Sequence, residues 1–315
     1  MNALVTGGAG FIGSTLVDRL LAEGHSVVVV DNLVSGKESN LAAARATSGD
    51  RLAFHQADIR DAETQKLIAG AGAEVVFHLA AQMDVRVSVA DPVYDAQVNI
   101  IGALNVLEGA RAGEARKVVF ASSGVTIYGE VPDADLPIKE HAPQRPLSPY
   151  GISKKAFGDY LFAYGTLHGL ASASLALGNV FGPRQDPHGE AGVVAIFGER
   201  LLKGEECKVF GDGSATRDYV YVDDVVDAFM RAAGAGSGIY NIGTGIETST
   251  KGLYTVMAEA AGVNKEPIHA PARTGEIERS ALDYGRAKSD LGWEPATLVP
   301  EGVVNVLDYI RAHSA

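Results

Sequence analysis

The sequence predicts a doubly wound α/β fold: a parallel sheet covered on both faces, with a smaller C-terminal lobe. Three observations point there. Short β-branched runs alternate with longer stretches of helical apolar spacing through the first half of the chain. The first apolar run breaks into a glycine-rich turn just before the first helical pattern. The second apolar run ends on an acidic residue, Asp31. In order, Ala3–Thr6 reads as the first strand, and Leu16, Leu20 and Leu21 mark the helix after it. Ser26–Val30, Leu52–His55, Val75–His78 and Lys117–Ala121 read as further strands. Val93–Ala112 reads as one helix, with Val98, Ile101, Leu104 and Leu107 on its apolar face. After about residue 180, Pro183, Pro187 and several glycines mark a long loop. A helix over Val193–Lys203, a strand over Lys208–Phe210 and a turn at Gly211-Asp212-Gly213 follow. Asp223 and Asp224 read as first-turn residues ahead of a helix over Val225–Ala233. Residues 1–180 are therefore expected to form a nucleotide-binding domain and 181–315 mainly a substrate lobe, with a strand near 238–242 returning to the first domain.

Composition narrows the function classes. The 315 residues are 46% hydrophobic and 21% charged, as in globular enzymes rather than disordered chains. The net charge of −12 and the lack of any basic run argue against nucleic acid as a partner. No apolar run reaches the roughly 18–20 residues a membrane span needs, and Met1-Asn2-Ala3-Leu4 has no basic leader character. The single cysteine, Cys207, allows no intrachain disulfide and suits a reducing compartment. A soluble cytoplasmic protein is expected.

The turn Gly7-Gly8-Ala9-Gly10-Phe11-Ile12-Gly13 carries the first chemistry. Gly8, Gly10 and Gly13 fit G-x-G-x-x-G, and Gly7, Gly10 and Gly13 the looser G-x-x-G-x-x-G. Glycine allows the tight turn and lets backbone N–H groups at a helix start approach a pyrophosphate. A glycine turn can be merely structural, but Asp31 stands where an acid would meet the adenosine ribose hydroxyls. A carboxylate there repels a 2′-phosphate, and Asn32, Leu33, Val34, Ser35 and Gly36 bring no arginine to hold one. NAD is expected over NADP, with Lys37 the one nearby cation. The fold expected is thus of the Rossmann type.

Tyr150-Gly151-Ile152-Ser153-Lys154 places Tyr and Lys at i, i+4, on one face of a helix that Ser148-Pro149 starts. A neighbouring ammonium favours phenolate and would draw the tyrosine down toward neutral pH, suiting it to take a proton from an alcohol and return it. Taken alone, such pairs are more often solvated helix faces; the dinucleotide turn upstream gives this one its meaning.

With these motifs in place, the sequence resembles the extended short-chain dehydrogenase/reductases, and among them the UDP-galactose (UDP-glucose) 4-epimerases. The resemblance runs through Val5–Gly13, Asp31-Asn32, Asp58-Ile59, His78-Leu79-Ala80-Ala81-Gln82, Val98-Asn99, Ser122 through Gly129, Ser148–Lys154, Gly178 through Gln185, Phe210–Gly213, Arg217-Asp218-Tyr219 and Asn241–Gly245. It implies NAD lined by Gly7, Gly10, Phe11, Ile12 and Gly13 in the turn. Asp31, Asn32, Leu33, Ser35, Gly36, Asp58 and Ile59 would follow at the adenosine end. Leu79, Ala80, Ala81, Gln82, Asn99, Ser122, Tyr150, Lys154 and Gly178 would follow toward the nicotinamide. It implies Tyr150 as the acid/base with Lys154 as its partner, and Thr126, Asn179, Val193, Phe210, Arg217 and Arg273 around a UDP-sugar. Arginine suits a diphosphate because its charge is permanent and its donors are paired.

The chain departs from these relatives at two places: the strand leading to Asn179 reads Ser174-Leu175-Ala176-Leu177-Gly178 and lacks an arginine that many of them carry, and a hydroxyl is missing ahead of the Tyr128-Gly129 pair. Where they place Ser or Thr four residues before the tyrosine of the Tyr128-Gly129 pair, this chain has Gly124. A second catalytic hydroxyl must come from Ser123 or Thr126. If the chain stays extended from Ala121 through Tyr128, alternation of faces favours Thr126; a turn at Ser123-Gly124 favours Ser123. Elsewhere, Asp186, His188 and Glu190 lie close in sequence, but a Pro/Gly loop rarely fixes metal geometry, so no metal is expected. His78 reads as a satisfied structural histidine. The two helices Val93–Ala112 and Tyr150–His168 are expected to pair in a homodimer, as in relatives. The alternatives are a nucleotide-sugar 4-epimerase acting on UDP-N-acetylhexosamine or UDP-glucuronate, a nucleotide-sugar dehydratase or decarboxylase, and a non-catalytic NAD-sensing protein.

Overall fold

The computed structural model describes residues 1–187, 192–272 and 277–313. Six strands of the central sheet are β1 (Asn2–Thr6), β2 (Ser26–Asp31), β3 (Leu52–Gln56), β4 (Val75–His78), β5 (Lys117–Ser123) and β6 (Ala171–Leu177). Gly238–Ile242 completes a seven-stranded parallel sheet by pairing with β6, with Ile239 opposite Ser174. Across the sheet the order is Gly238–Ile242, β6, β5, β4, β1, β2, β3. The chain winds one way from β1 through β3, then restarts at β4 beside β1 and winds the other way. That reversal opens a crevice beyond the carboxyl ends of β1 and β4, where sheets of this kind bind ligands.

Both faces are covered, which is why the strands read as nearly continuous apolar runs. Phe11–Ala22 and Val222–Gly234 bury Leu16, Leu20, Val225 and Phe229 against one face. Ala103–Ala112 and Pro149–His168 bury Val106, Leu107, Phe157 and Leu161 against the other. A separate apolar cluster, including Phe197, Val209, Leu253 and Leu307, holds the C-terminal lobe together around Val193–Lys203. Asp223 and Asp224 do lie in the first turn of their helix, which begins at Val222.

Two local expectations change. The 93–112 stretch is not a uniform α-helix. A short helix Pro92–Ala96, capped by the Asp91 side chain, runs into a π-turn at Gln97–Gly102 and only then into Ala103–Ala112. The apolar spacing could not reveal one wide turn, and such turns gather at functional sites. Nor does the chain stay extended to Tyr128. β5 ends at Ser123, and Gly124–Tyr128 forms a short helix.

Candidate active site

The glycine turn fits its expected task. Gly7 has φ +72°, and a Cβ there would lie 2.7 Å from the Ala80 amide nitrogen, so only glycine lets the turn meet the strand-end loop after β4. A side chain at Gly13 would strike the Gly7 carbonyl. The helix that follows has no side-chain cap and no acidic residue in its first turn, so its N-terminal N–H groups at Phe11 and Ile12 are left for an anion. Asp31 is buried, with one carboxylate oxygen accepting from Ala9 N at 2.9 Å and the other from Leu33 N at 2.8 Å. Gly36 lies against that carboxylate, where a Cβ would come within 2.8 Å of it. Asn32 donates to Asp58 at 3.0 Å, and the Arg60 guanidinium beside Asp58 holds its carboxyl at about 2. Lys37, the cation that follows Asp31 in the sequence, is engaged by Asp186 at 3.0 Å. These residues fit a dinucleotide whose adenosine ribose carries free hydroxyls.

Toward the reacting end, Gln82 and Asn99 lock together. Gln82 N donates to Asn99 Oδ1 at 2.9 Å, and Asn99 Nδ2 to the Gln82 carbonyl at 2.8 Å. His78 is fully buried, sharing a 2.7 Å hydrogen bond with the Thr6 hydroxyl and stacking on Phe120. Burial, with the Lys154 charge adding to it, pulls His78 down to about 3. The Thr6 hydroxyl also accepts from Ala80 N, at 3.3 Å, so the pair holds the loop that closes on Gly7. Leu79, Ala80 and Ala81 follow β4 into the crevice, while Ile59 is buried against Gly102 of the π-turn.

Tyr150 and Lys154 share one helix, started by Ser148, whose hydroxyl accepts from Gly151 N. The Lys154 ammonium lies 5.6 Å from the Tyr150 ring centroid and donates to the Ala121 carbonyl at 2.9 Å. The expected drop in the tyrosine does not occur in the chain by itself. Burial raises the Tyr150 phenol above its ordinary value, the Asp95 carboxylate raises it further, and a hydrogen bond with Ser123 works against both. Burial pulls Lys154 down to about 7, with Asp95 opposing. Desolvation of both groups outweighs their mutual proximity, because each charged form loses water when the helix packs on β5.

The turn at Ser123-Gly124 overturns the alternation argument for Thr126. Thr126 Oγ1 spends its hydroxyl on a 3.5 Å contact to the Ser123 carbonyl, whereas the Ser123 hydroxyl acts on the Tyr150 phenol and lowers it. Gly124 is filled from elsewhere: a Cβ there would lie 2.5 Å from Leu282 Cδ1 and 3.1 Å from the Ala176 carbonyl. Sequence reasoning does not single out Leu282, and no local signal points to it. Asp95, also missed, has a weak signal in its i, i+4 spacing to Asn99.

Of the residues expected around substrate, Asn179, Val193, Phe210 and Arg217 lie on the elements Asn179–Phe181, Val193–Lys203, Lys208–Phe210 and Thr216–Arg217. Asn179 Oδ1 is buried without a hydrogen-bond partner among the described residues, an acceptor left for a ligand. Arg217 lies on the short strand Thr216–Arg217, and Asp218 beside it is a buried hub. Its carboxylate accepts from Thr244 N and Oγ1, Gly245 N and Leu282 N, at 2.7–3.0 Å. Phe210 ends the strand Lys208–Phe210 with its ring partly exposed, and Val193 opens its helix. Gly178 serves close packing: its N–H donates to the Ile242 carbonyl, and a Cβ would lie 2.9 Å from the Asp218 carbonyl. Ser122 is buried on β5, and Ser35 is exposed in the loop after Asp31. Arg273, His188 and Glu190 lie outside the described residues. Among the described residues no cluster of three or more His, Cys, Asp or Glu could hold a metal, and no helix is long and apolar enough to cross a membrane.

A glycine turn opening a helix, a buried acid at the end of β2 and a Tyr–Lys pair on one helix face are the features of an NAD-dependent short-chain dehydrogenase/reductase of the extended kind. Residues 3–243 match the profile of the NAD dependent epimerase/dehydratase family, and the chain belongs to that family. It is 52% identical over 316 residues to the UDP-glucose 4-epimerase of Mycolicibacterium smegmatis, covering 100% of both chains. Among solved structures it superposes on the UDP-glucose 4-epimerase of Thermotoga maritima with UDP-glucose, at TM-score 0.95 and 46% identity over 100% of both chains. The UDP-glucose 4-epimerase of Thermus thermophilus in complex with NAD matches at TM-score 0.92 and 46% identity, covering 99% of this chain and 100% of that one.

Proposed function

We propose that this enzyme is an NAD-dependent isomerase that inverts C4 of a UDP-hexose, interconverting UDP-glucose and UDP-galactose. The observation that supports the reading is the Tyr150–Lys154 pair, with the Lys154 ammonium 5.6 Å from the Tyr150 ring and Ser123 at the end of β5 acting on the Tyr150 phenol. Gly7, Gly10 and Gly13, the open helix start at Phe11 and Ile12, and Asp31 would hold NAD, which supplies the hydride acceptor and its positive charge when bound. Tyr150 takes the proton from the sugar 4-hydroxyl as C4 is oxidised to a ketone, and returns it when C4 is reduced on its other face. Ser123 steadies the phenolic oxygen. Lys154, kept near its own titration point by burial, stabilises the phenolate. Asn179, Arg217, Phe210, Val193 and Arg273 would grip the UDP, so the sugar can turn over while the nucleotide stays anchored.

The short helix Gly124–Tyr128 reads Gly-Val-Thr-Ile-Tyr and brings no acid to the site, which counts against a dehydratase or decarboxylase. Incubation with UDP-glucose, UDP-N-acetylglucosamine and UDP-glucuronate, followed by NMR, tests the reading. Conversion of UDP-glucose to UDP-galactose is expected. Conversion of only one of the other two would move the substrate, and NAD binding without turnover of any would make the chain a sensor.

The domain division extends this reading: Val222–Gly234 and Gly238–Ile242 pack with the sheet although they lie in the C-terminal half. A homodimer is supported by exposed apolar side chains on the two expected helices, Val93 and Ile101 on one and Ile152, Tyr160 and Leu167 on the other. A reducing, cytoplasmic setting is supported by the single buried free thiol of Cys207.

A further inference from the structure

Behind the Tyr150–Lys154 pair lies a buried charge that the reaction as described does not use. Asp95 is 1% exposed, on the short helix Pro92–Ala96 just before the π-turn. Its Oδ1 accepts from Gln82 Nε2 and from Asn99 Nδ2, each at 3.0 Å. Both partners are neutral amides, and among the described residues no ammonium or guanidinium pairs with it. A buried carboxylate answered only by amides is costly. Here the helix packs on Pro149–His168, and the Asp95 charge reaches both Tyr150 and Lys154.

The other polar groups around that pair do not duplicate it. His78 from β4 is buried and neutral near pH 7, and Ser123 from β5 brings only a hydroxyl. On the neighbouring helix, Arg86 pairs with Asp84 at 3.2 Å. Farther along, Glu108 is bound by Arg111 and by the Tyr164 hydroxyl. Among the described residues, Asp95 is the charge that acts on both members of the pair.

We propose that Asp95 is a positioning residue of the site: held by Gln82 and Asn99, it is the fixed negative charge against which the Tyr150–Lys154 pair works, and it fixes which way those two amides face. With the charge in place Lys154 keeps its proton to higher pH, and Tyr150 holds its own proton more tightly. Removing the charge moves both titrations to lower pH. Asn99 and Gln82, whose backbone and side-chain groups interlock, then meet a weaker, uncharged acceptor for their amide hydrogens.

The activity test rests on the epimerase reading, so two measurements are paired. The first is the pH profile of kcat for UDP-glucose in the NAD-loaded enzyme, in wild type, Asp95→Asn and Asp95→Ser. The second is the NMR titration of Lys154 in the same proteins, which needs no sugar. Expected is a movement of both limbs of the profile, and of the Lys154 titration, to lower pH by about one unit or more in the neutral variants, the low end of what a nearby charge does. An unmoved Lys154 titration, a profile that only falls in height, or failure of both variants to fold would overturn the proposal, the last by making Asp95 a structural residue. A wild type that turns over no UDP-sugar would instead defeat the epimerase reading and leave the Lys154 titration to decide the role of Asp95.

Discussion

Ser123→Ala tests the reading of the second hydroxyl. Burial and the Asp95 charge both oppose the phenolate of Tyr150, and the Ser123 hydrogen bond is what counters them. A hydrogen bond to a charged group is worth about 1.5–3 kcal/mol. If that bond is made mainly to the phenolate, its loss raises the barrier by the same amount, or roughly 10–150-fold in turnover. Thr126→Val removes a hydroxyl with only a 3.5 Å contact to the Ser123 carbonyl, so less than about threefold is expected. Gly124→Ser, which adds a hydroxyl at that position, is not expected to rescue Ser123→Ala, because Leu282 Cδ1 would stand 2.5 Å from its Cβ. The assay is the initial rate of UDP-glucose to UDP-galactose conversion by NMR at saturating substrate, with NAD content measured in each variant. A Thr126→Val enzyme that loses tenfold or more, beside a Ser123→Ala enzyme near full rate, would refute the argument from the strand end.

Four further outcomes are expected. Tyr150→Phe loses roughly 10²–10⁴-fold in turnover, the usual span for a general acid–base group, while retaining NAD. Calorimetry gives NAD at least about tenfold tighter binding than NADP, since Asp31 is buried beside the ribose position and Lys37 is engaged by Asp186. Asp218→Asn turns an amide group toward donors that now meet a carboxylate, costing about 2–4 kcal/mol, read as a lower urea midpoint. His78 titrates at about 3 when folded and near its ordinary value when unfolded, so the unfolded chain takes up the proton first on acidification. The stability it contributes is complete above about pH 6.5 and falls by about 1.4 kcal/mol per unit below that; urea unfolding at pH 7 and pH 5 shows this slope in wild type and lacks it in His78→Phe.

Those parts of the protein whose chemistry is local are legible in the order of its residues. The glycine turn, Asp31 at the end of β2 and the Tyr150–Lys154 pair can be read from spacing, because a βα turn and one helical turn fix what a few residues can reach. The alternation of strands and helices likewise carries the parallel sheet. Other features exist only once the chain is folded. Whether Ser123 or Thr126 faces Tyr150 depends on where β5 ends, and element ends answer to packing more than to propensity. Gly124 is glycine because Leu282, far along the chain, fills the space its side chain would need. The direction of the Tyr150 titration reverses the local expectation, since i, i+4 spacing conveys proximity but not burial. Asp95 reads as an ordinary helical aspartate until folding sets it behind the reacting pair, because desolvation and the reach of a buried charge are properties of the assembled core.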